Sequence, residues 1–315
     1  MQSNPSVVVV LGTGGTIAGT AASPGDNLGY SAAQIGAAQL VAAVTALAEA
    51  PTEVEQIAQI DSKDMGFAVW RLLAEAVSRH LARPEVRGIV VTHGTDTLEE
   101  TTYFLQRVLA PSKPVVLVAA MRPATSLQAD GPQNLTDAVC VARAAGAKGV
   151  VAVLAGMVHS GLEVRKVHTY RLDAFDAGDA GALAQVEQGR LRRQRDWPGG
   201  EALGLARLPR DTAQWPQVEI VTSHAGATPT LVNALCQAGV KGIVVAGTGN
   251  GSLHHELEVA LLEAQAAGVA VLRSSRCLGG NVTEAPGSAL PAAGTLTPVQ
   301  ARIELMLRLL AERPG

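Results

Sequence analysis

The sequence predicts an α/β protein: a larger N-terminal domain with a mostly parallel sheet flanked by helices, plus a smaller α/β C-terminal domain. Three observations lead there. Short β-branched runs alternate with longer helical patterns along most of the 315 residues, which favours parallel pairing with right-handed crossovers. Aromatic residues are only 3% of the chain, so the core must be aliphatic, as in a sheet buried on both faces by Ala-rich helices. Between about 174 and 217 the alternation lapses and Gly, Pro, Asp, Arg and isolated Trp take over. The domains accordingly read as 1–195 and 218–315, with 196–217 as the linker.

Strands are expected at 7–11, 89–92, 115–119, 150–154, 218–222, 243–246 and 269–272, each short, apolar and rich in Val or Ile. Helix starts are marked by their caps. Ser31 with Gln34 opens an Ala-rich stretch to about 50, Thr97 with Glu100 opens one to about 109, and Thr297-Pro298 with Gln300 opens the last. Further helices are expected near 66–81, 133–145, 229–238 and 253–267.

Composition narrows the function classes. Hydrophobic residues at 47% and charged residues at 17% describe a globular, soluble chain. A formal net charge of −3 gives no basic footprint for nucleic acid. The one dense cationic run, Arg190 to Arg195, reads as a solvated loop in preference to a polyanion patch. Cys140, Cys236 and Cys277 lie far apart without metal-ligand or disulfide spacing, so reduced thiols and no metal site are expected. No apolar run approaches the roughly 18 residues of a membrane span. A cytoplasmic location is expected, or a periplasmic one if a signal peptide has been trimmed away.

Two segments can carry chemistry. Gly12-Thr13-Gly14-Gly15-Thr16-Ile17 follows the first strand. A dinucleotide fingerprint needs a third glycine where Ile17 stands, and a phosphate-binding P-loop needs Gly-Lys-Ser/Thr, which is absent. What remains is either a plain tight turn or the Thr16 hydroxyl presented beside backbone N–H groups, as a nucleophile requires. Thr92-His93-Gly94-Thr95-Asp96-Thr97 follows the strand at 89–92. Thr97 has a structural job as a helix cap, whereas Thr95 and Asp96 have none. Both lie where open α/β sheets bind ligands, beyond the strands' carboxyl ends. His93 reads as a buried structural histidine in preference to a general base. Lys166 reads as a surface lysine or as the activator of a hydroxyl. His254-His255-Glu256 is rejected as a metal site, because adjacent helical residues point apart.

These segments resemble those of the bacterial L-asparaginase (asparaginase/glutaminase) family. Thr13 to Ala18 is similar to one family signature and Gly88 with His93 to Leu98 to the other. The similarity runs almost end to end, through Tyr30-Ser31, Asp61 to Met65, Ala120 to Pro123, Asp130 with Asn134, Gly247 to Gly251 and Arg273 to Arg276. The resemblance implies a threonine nucleophile, Thr16, activated with Tyr30, and a second relay of Thr95, Lys166 and Asp96. It implies substrate contacts from Ser62, Lys63, Gly94, Thr95, Asp96 and Ala120, and from Glu284 toward a neighbouring subunit's site. It further implies hydrolysis of L-asparagine to L-aspartate and ammonia without metal or organic cofactor, in a homotetramer with sites between subunits.

Three departures bear on substrate preference. Gly226 stands where many members carry asparagine, Lys63 where glutamine is frequent, and the segment 278–290 is short. The rivals are an amidase for glutamine or another small amide, and an amino-acid-binding protein without turnover. The paired hydroxyls disfavour the second, since binding alone needs no activated nucleophile.

Overall fold

The computed structural model describes residues 7–44, 47, 51–284 and 286–313. The chain divides into two compact units, 1–205 and 206–315.

The first unit is built on β1 (Val7–Gly14), β2 (Thr52–Ile60), β3 (Val86–Thr92), β4 (Pro114–Val118) and β5 (Gly149–Leu154). These five run parallel in the order β2-β1-β3-β4-β5. Four of them are continuous apolar runs with almost every residue buried, as expected for strands covered on both faces. The sheet is extended antiparallel beyond β5 by β6 (Met157–Ser160) and, after the short pair β7 (Arg165–Lys166) and β8 (Phe175–Asp176), by β9 (Ala184–Glu187) and β10 (Arg190–Arg193). Helices α1 (Ala37–Ala42), α2 (Phe67–Leu81), α3 (Leu98–Leu109) and α4 (Gly131–Arg143) supply the crossovers. One face of the sheet and its helices form an aliphatic core around Val8, Val10, Val90, Val116, Val118, Leu135 and Val151.

The second unit repeats the architecture in miniature. β11 (Val218–Thr222), β12 (Gly242–Gly247) and β13 (Ala270–Ser275) are parallel, with α5 (Thr230–Gln237), α6 (His255–Ala266) and α7 (Pro298–Ala311). Ile243, Val245, Leu257 and Leu261 centre its core. At α7 the expected capping box forms: Thr297 Oγ1 accepts the Gln300 N–H at 3.3 Å, and Gln300 Oε1 accepts the Thr297 N–H at 3.1 Å.

The α/β class is as read, and every expected strand exists. Several local readings need correction. The stretch at 190–193 is no solvated loop. It is an antiparallel edge strand, in which Arg192 pairs across the ladder with Glu187 at 2.9 Å. Charged edge strands look like loops in sequence because both of their faces meet water. β2 escapes for the same reason: its edge position leaves none of its residues fully buried, and Glu53 and Glu55 pair with Arg83 and Arg79. Ser31 caps no helix. It forms a bridge with Thr20, and α1 starts after Gly36, with the end of the expected helix falling partly outside the described residues. Thr97 does precede α3, but its hydroxyl donates to the Ser62 carbonyl at 2.8 Å, so the expected box is not made.

Among the described residues no helix is long and apolar enough to cross a membrane, and no cluster of three or more His, Cys, Asp or Glu could hold a metal.

Candidate active site

In the first unit, β2, β1, β3 and β4 lie side by side and parallel, so the turns that leave their carboxyl ends share one edge. Those turns carry Ser62, Thr16, Thr95 with Asp96, and Ala120 respectively. Their backbones are tied together. Gly15 N–H donates to the Ile60 carbonyl at 2.9 Å, Thr13 Oγ1 donates to the Thr92 carbonyl at 2.9 Å, and His93 N–H donates to the Val118 carbonyl at 2.8 Å.

Glycine permits the closest of these approaches. Gly15 has φ +83°, and a Cβ placed on it would lie 2.4 Å from both Cα and N of Gly94. The loop bearing Thr16 and the loop bearing Thr95 therefore touch backbone to backbone. Gly94 in turn faces Ser62, whose Oγ would stand 2.3 Å from an added Cβ. Ser62 Oγ accepts the Asp96 N–H at 3.2 Å, which fixes the third loop to the second.

Each threonine has its own partner. Thr16, buried in a 3₁₀ turn at Thr16–Ala18, shares a 2.7 Å hydrogen bond between Oγ1 and the Tyr30 hydroxyl. Tyr30 ends the 20–30 loop, which closes through paired backbone hydrogen bonds between Thr20 and Ser31. The Tyr30 ring packs against Gly19, where a Cβ would come within 2.9 Å of it. The loop is also fastened to the segment after β4: Ala21 N–H donates to Thr125 Oγ1 at 2.9 Å and Ser126 Oγ donates to Asn27 Oδ1 at 2.7 Å. Thr95, likewise buried, accepts a hydrogen bond from Lys166 Nζ at 2.9 Å, and the same ammonium reaches Asp96 Oδ1 at 2.7 Å. Two hydroxyls thus face one sheet edge, one beside a phenol and one beside an amine.

His93 is wholly buried, and burial pushes its imidazole down to about 4. Its Nδ1 lies 2.7 Å from the Gly94 carbonyl, which can only accept, so Nδ1 carries the proton. Nε2 then accepts from Thr101 Oγ1 at 2.9 Å, and that hydroxyl accepts the Trp70 indole N–H at 2.9 Å. Every ring nitrogen is occupied in holding the turn, which suits a structural histidine.

The other predicted residues are placed less centrally. Lys63 is exposed and pairs with Asp64. Glu284 lies in the second unit, where its carboxylate accepts the Ala292 N–H at 2.8 Å.

Three residues outside the expected site set have clear local roles. Asp130 accepts the Met121 and Arg122 N–H groups, both at 3.0 Å, and Asn134 donates to the Ala119 carbonyl at 2.9 Å; together they shape the turn at Ala120. The family resemblance marks Asp130 and Asn134 without giving them a role, and an Asp before a Gly-Pro helix start reads equally well as a cap. Glu99 accepts the Lys166 backbone N–H at 3.1 Å, and burial raises its carboxyl to about 7.

These shifts predict a pH response. Unfolded histidines are protonated below about 6.5, whereas folded His93 and His159 stay neutral down to about 4 because both are buried. The unfolded chain binds more protons in that window, so stability falls on acidification. Glu99 opposes this: its folded carboxyl keeps a proton to about 7 while the unfolded one loses it near 4.5. Two imidazoles against one carboxyl leave roughly one proton in favour of the unfolded chain. The urea midpoint is expected to drop steadily from pH 6.5 to pH 5, and a midpoint that holds or rises would contradict the buried neutral imidazoles.

Residues 7–198 match the family model described as asparaginase, N-terminal, and residues 217–313 match the glutaminase/asparaginase C-terminal domain. L-asparaginase 2 of Escherichia coli (strain K12) is 38% identical over 313 residues, covering 96% of this chain and 88% of that protein. The glutaminase-asparaginase of Pseudomonas fluorescens biotype A is also 38% identical, over 311 residues, with 96% and 86% covered. Among solved structures, a probable cytoplasmic L-asparaginase from Campylobacter jejuni superposes with a TM-score of 0.91 at 37% identity, covering 96% of this chain and 95% of that one. Both halves of the chain are accounted for by these matches, and the protein belongs to the asparaginase family.

Proposed function

We propose that the protein hydrolyses L-asparagine to L-aspartate and ammonia by two-step acyl transfer, with Thr16 as the nucleophile. The observation that carries this reading is the pair of partnered hydroxyls, Thr16 with Tyr30 and Thr95 with Lys166, on loops joined at Gly15 and Gly94. Thr16 Oγ1 attacks the side-chain amide carbon, and its proton is relayed through the Tyr30 hydroxyl to the leaving nitrogen. The oxyanion is met by backbone N–H groups near Thr95 and Ala120, each such donor worth roughly 2.7–4 kcal/mol in comparable sites. Collapse expels ammonia and leaves a threonyl ester. Water, activated through Thr95, Lys166 and Asp96, then releases aspartate. No step calls for a metal or organic cofactor.

The amino acid's own charges suit the same edge. In this reading Asp96 takes the α-ammonium group, and the Ser62 hydroxyl and nearby N–H groups the α-carboxylate, with Gly94 and Ala120 lining the floor. Lys63 and Glu284 are assigned the outer contacts, Glu284 toward a neighbouring copy in a homotetramer. A cytoplasmic location follows the name of the Campylobacter jejuni neighbour.

The Pseudomonas fluorescens relative is named for glutamine as well as asparagine and is as similar as the Escherichia coli protein. Glutamine is therefore a second substrate to test, and Gly226 leaves one polar side chain fewer to discriminate against its extra methylene. A methylene is worth only about 1–3 kcal/mol of discrimination in such pockets. Ammonia release from the two amides, assayed side by side, is expected to give the higher kcat/KM with asparagine. Saturable binding of both without any ammonia would sink the enzymatic reading.

A further inference from the structure

Lys166 occupies an insecure place for a residue that must aim its side chain. It lies on β7, two residues long, which pairs with β8 in a sheet separate from the eight-stranded one. A ladder of that length contributes little rigidity by itself. Yet Lys166 Nζ meets both Thr95 Oγ1 and Asp96 Oδ1 at hydrogen-bonding distance. Val164 is buried and the Val167 N–H donates to the Ala174 carbonyl at 2.8 Å, so the flanks are held, and a further contact must fix Lys166 itself.

Glu99 does so from 67 residues away in sequence, accepting the Lys166 N–H with Oε2 at 3.1 Å. It stands in the first turn of α3, three residues after Asp96. That helix is firmly seated, with Leu98, Thr101, Thr102, Tyr103, Phe104 and Leu105 all buried. We infer that Glu99 is a positioning residue: its carboxyl oxygen ties β7 to the start of α3 and so holds Lys166 Nζ against Thr95 and Asp96. The inference rests on the reaction proposed above, in which that amine assists the chemistry.

A carboxylate in a first helical turn often serves only the helix dipole, and does so ionised and in water. Glu99 differs. Burial raises its carboxyl to about 7, with Glu100 adding to the rise, and with the Lys166 N–H and the Arg165 and Lys166 charges opposing it. It is half-buried and spends an oxygen on another element. An acceptor oxygen is available whether or not the carboxyl is ionised, so the tie does not depend on its titration. Glutamine offers the same acceptor and alanine offers none.

The test is steady-state ammonia release from L-asparagine by the wild type, E99A, E99Q, K166A and E99A/K166A. E99A is expected to lose on the order of tenfold or more in kcat with KM within about twofold, as for a displaced catalytic group. E99Q restores most of that loss. Adding E99A to K166A lowers the rate no further, because the two residues act as one unit. If E99A does not fold, E99L fills the buried space without an acceptor and takes its place. A wild-type kcat in E99A, an E99Q as impaired as E99A, or additive losses in the double variant would each overturn the inference. Undiminished turnover by K166A would instead strike the proposed reaction. A crystal structure of E99A decides the positioning independently: displacement of Lys166 Nζ from Thr95 Oγ1 supports it, and an unmoved contact near 2.9 Å removes it.

Discussion

Thr16→Ala is expected to lower ammonia release by on the order of 10⁴-fold or more while the protein unfolds at nearly the wild-type urea concentration. The chemical loss is large because the alanine methyl group cannot form the ester, and the Tyr30 hydroxyl then has no alcohol proton to relay. The structural loss is small. The turn around Thr16 is held by backbone hydrogen bonds, Gly15 N–H to the Ile60 carbonyl, Ala18 N–H to the Gly15 carbonyl and Gly19 N–H to the Thr16 carbonyl, and alanine keeps all three. Tyr30 is partly exposed, so water replaces the lost partner. Removing one hydroxyl and one methyl at such a site costs about 1 kcal/mol. Thr16→Ser is the companion measurement, since it keeps the nucleophile and gives up only the methyl group that restricts its rotamer. Serine retaining a measurable rate where alanine retains none would separate chemistry from packing. An alanine variant within tenfold of wild type would transfer the nucleophile's role to Thr95 or to water.

Much of this was legible in the chain itself, for a definite reason. β1, β3, β4 and β5 are buried on both faces, so they declare themselves as apolar runs, and the Gly- or hydroxyl-bearing turns after β1 and β3 mark the edge where a ligand can sit. Edge strands give no such signal. β2 and β10 expose polar side chains on their open sides, and charge pairing across the strands is invisible until they are aligned. The helix at 37–42 was overextended because Ser31 fits a cap by residue type, while its backbone was already committed to Thr20.

Within the site, residue type and position in a turn identified the hydroxyls. The geometry that links them lay elsewhere. Ser62 was known only by resemblance, yet it is the hinge between two loops: Oγ accepts from Asp96 N–H and the carbonyl accepts from Thr97. Thr97 illustrates the ambiguity, because a threonine before a helix is read as a cap even when its hydroxyl serves a different strand's turn. Glu99 was hidden by the same logic, since an acid in a first turn already has a helical explanation.

Gly15→Ala is expected to destabilise the protein by about 3 kcal/mol or more and to cost at least on the order of 10²-fold in kcat/KM. Two effects add at this residue. The backbone sits at φ +83° and ψ −174°, a region essentially restricted to glycine, where a Cβ costs on the order of 1–3 kcal/mol. The new methyl would also stand 2.4 Å from Gly94 Cα and N and 2.7 Å from the His93 carbonyl carbon. Those are backbone atoms of a loop pinned by His93, whose ring nitrogens are both engaged, so no side chain can swing aside. Relief requires the two loops to separate, which carries Thr16 away from Thr95. Gly25→Ala is the control, because nothing lies within 4 Å of an added Cβ there, and it should leave both measurements unchanged. The substitution at Gly15 removes no hydroxyl, amine or carboxylate, so a loss of turnover cannot be blamed on a missing reactive group. Unchanged urea midpoint and turnover in Gly15→Ala would mean that the two threonine loops do not abut, and the joint site would have to be abandoned.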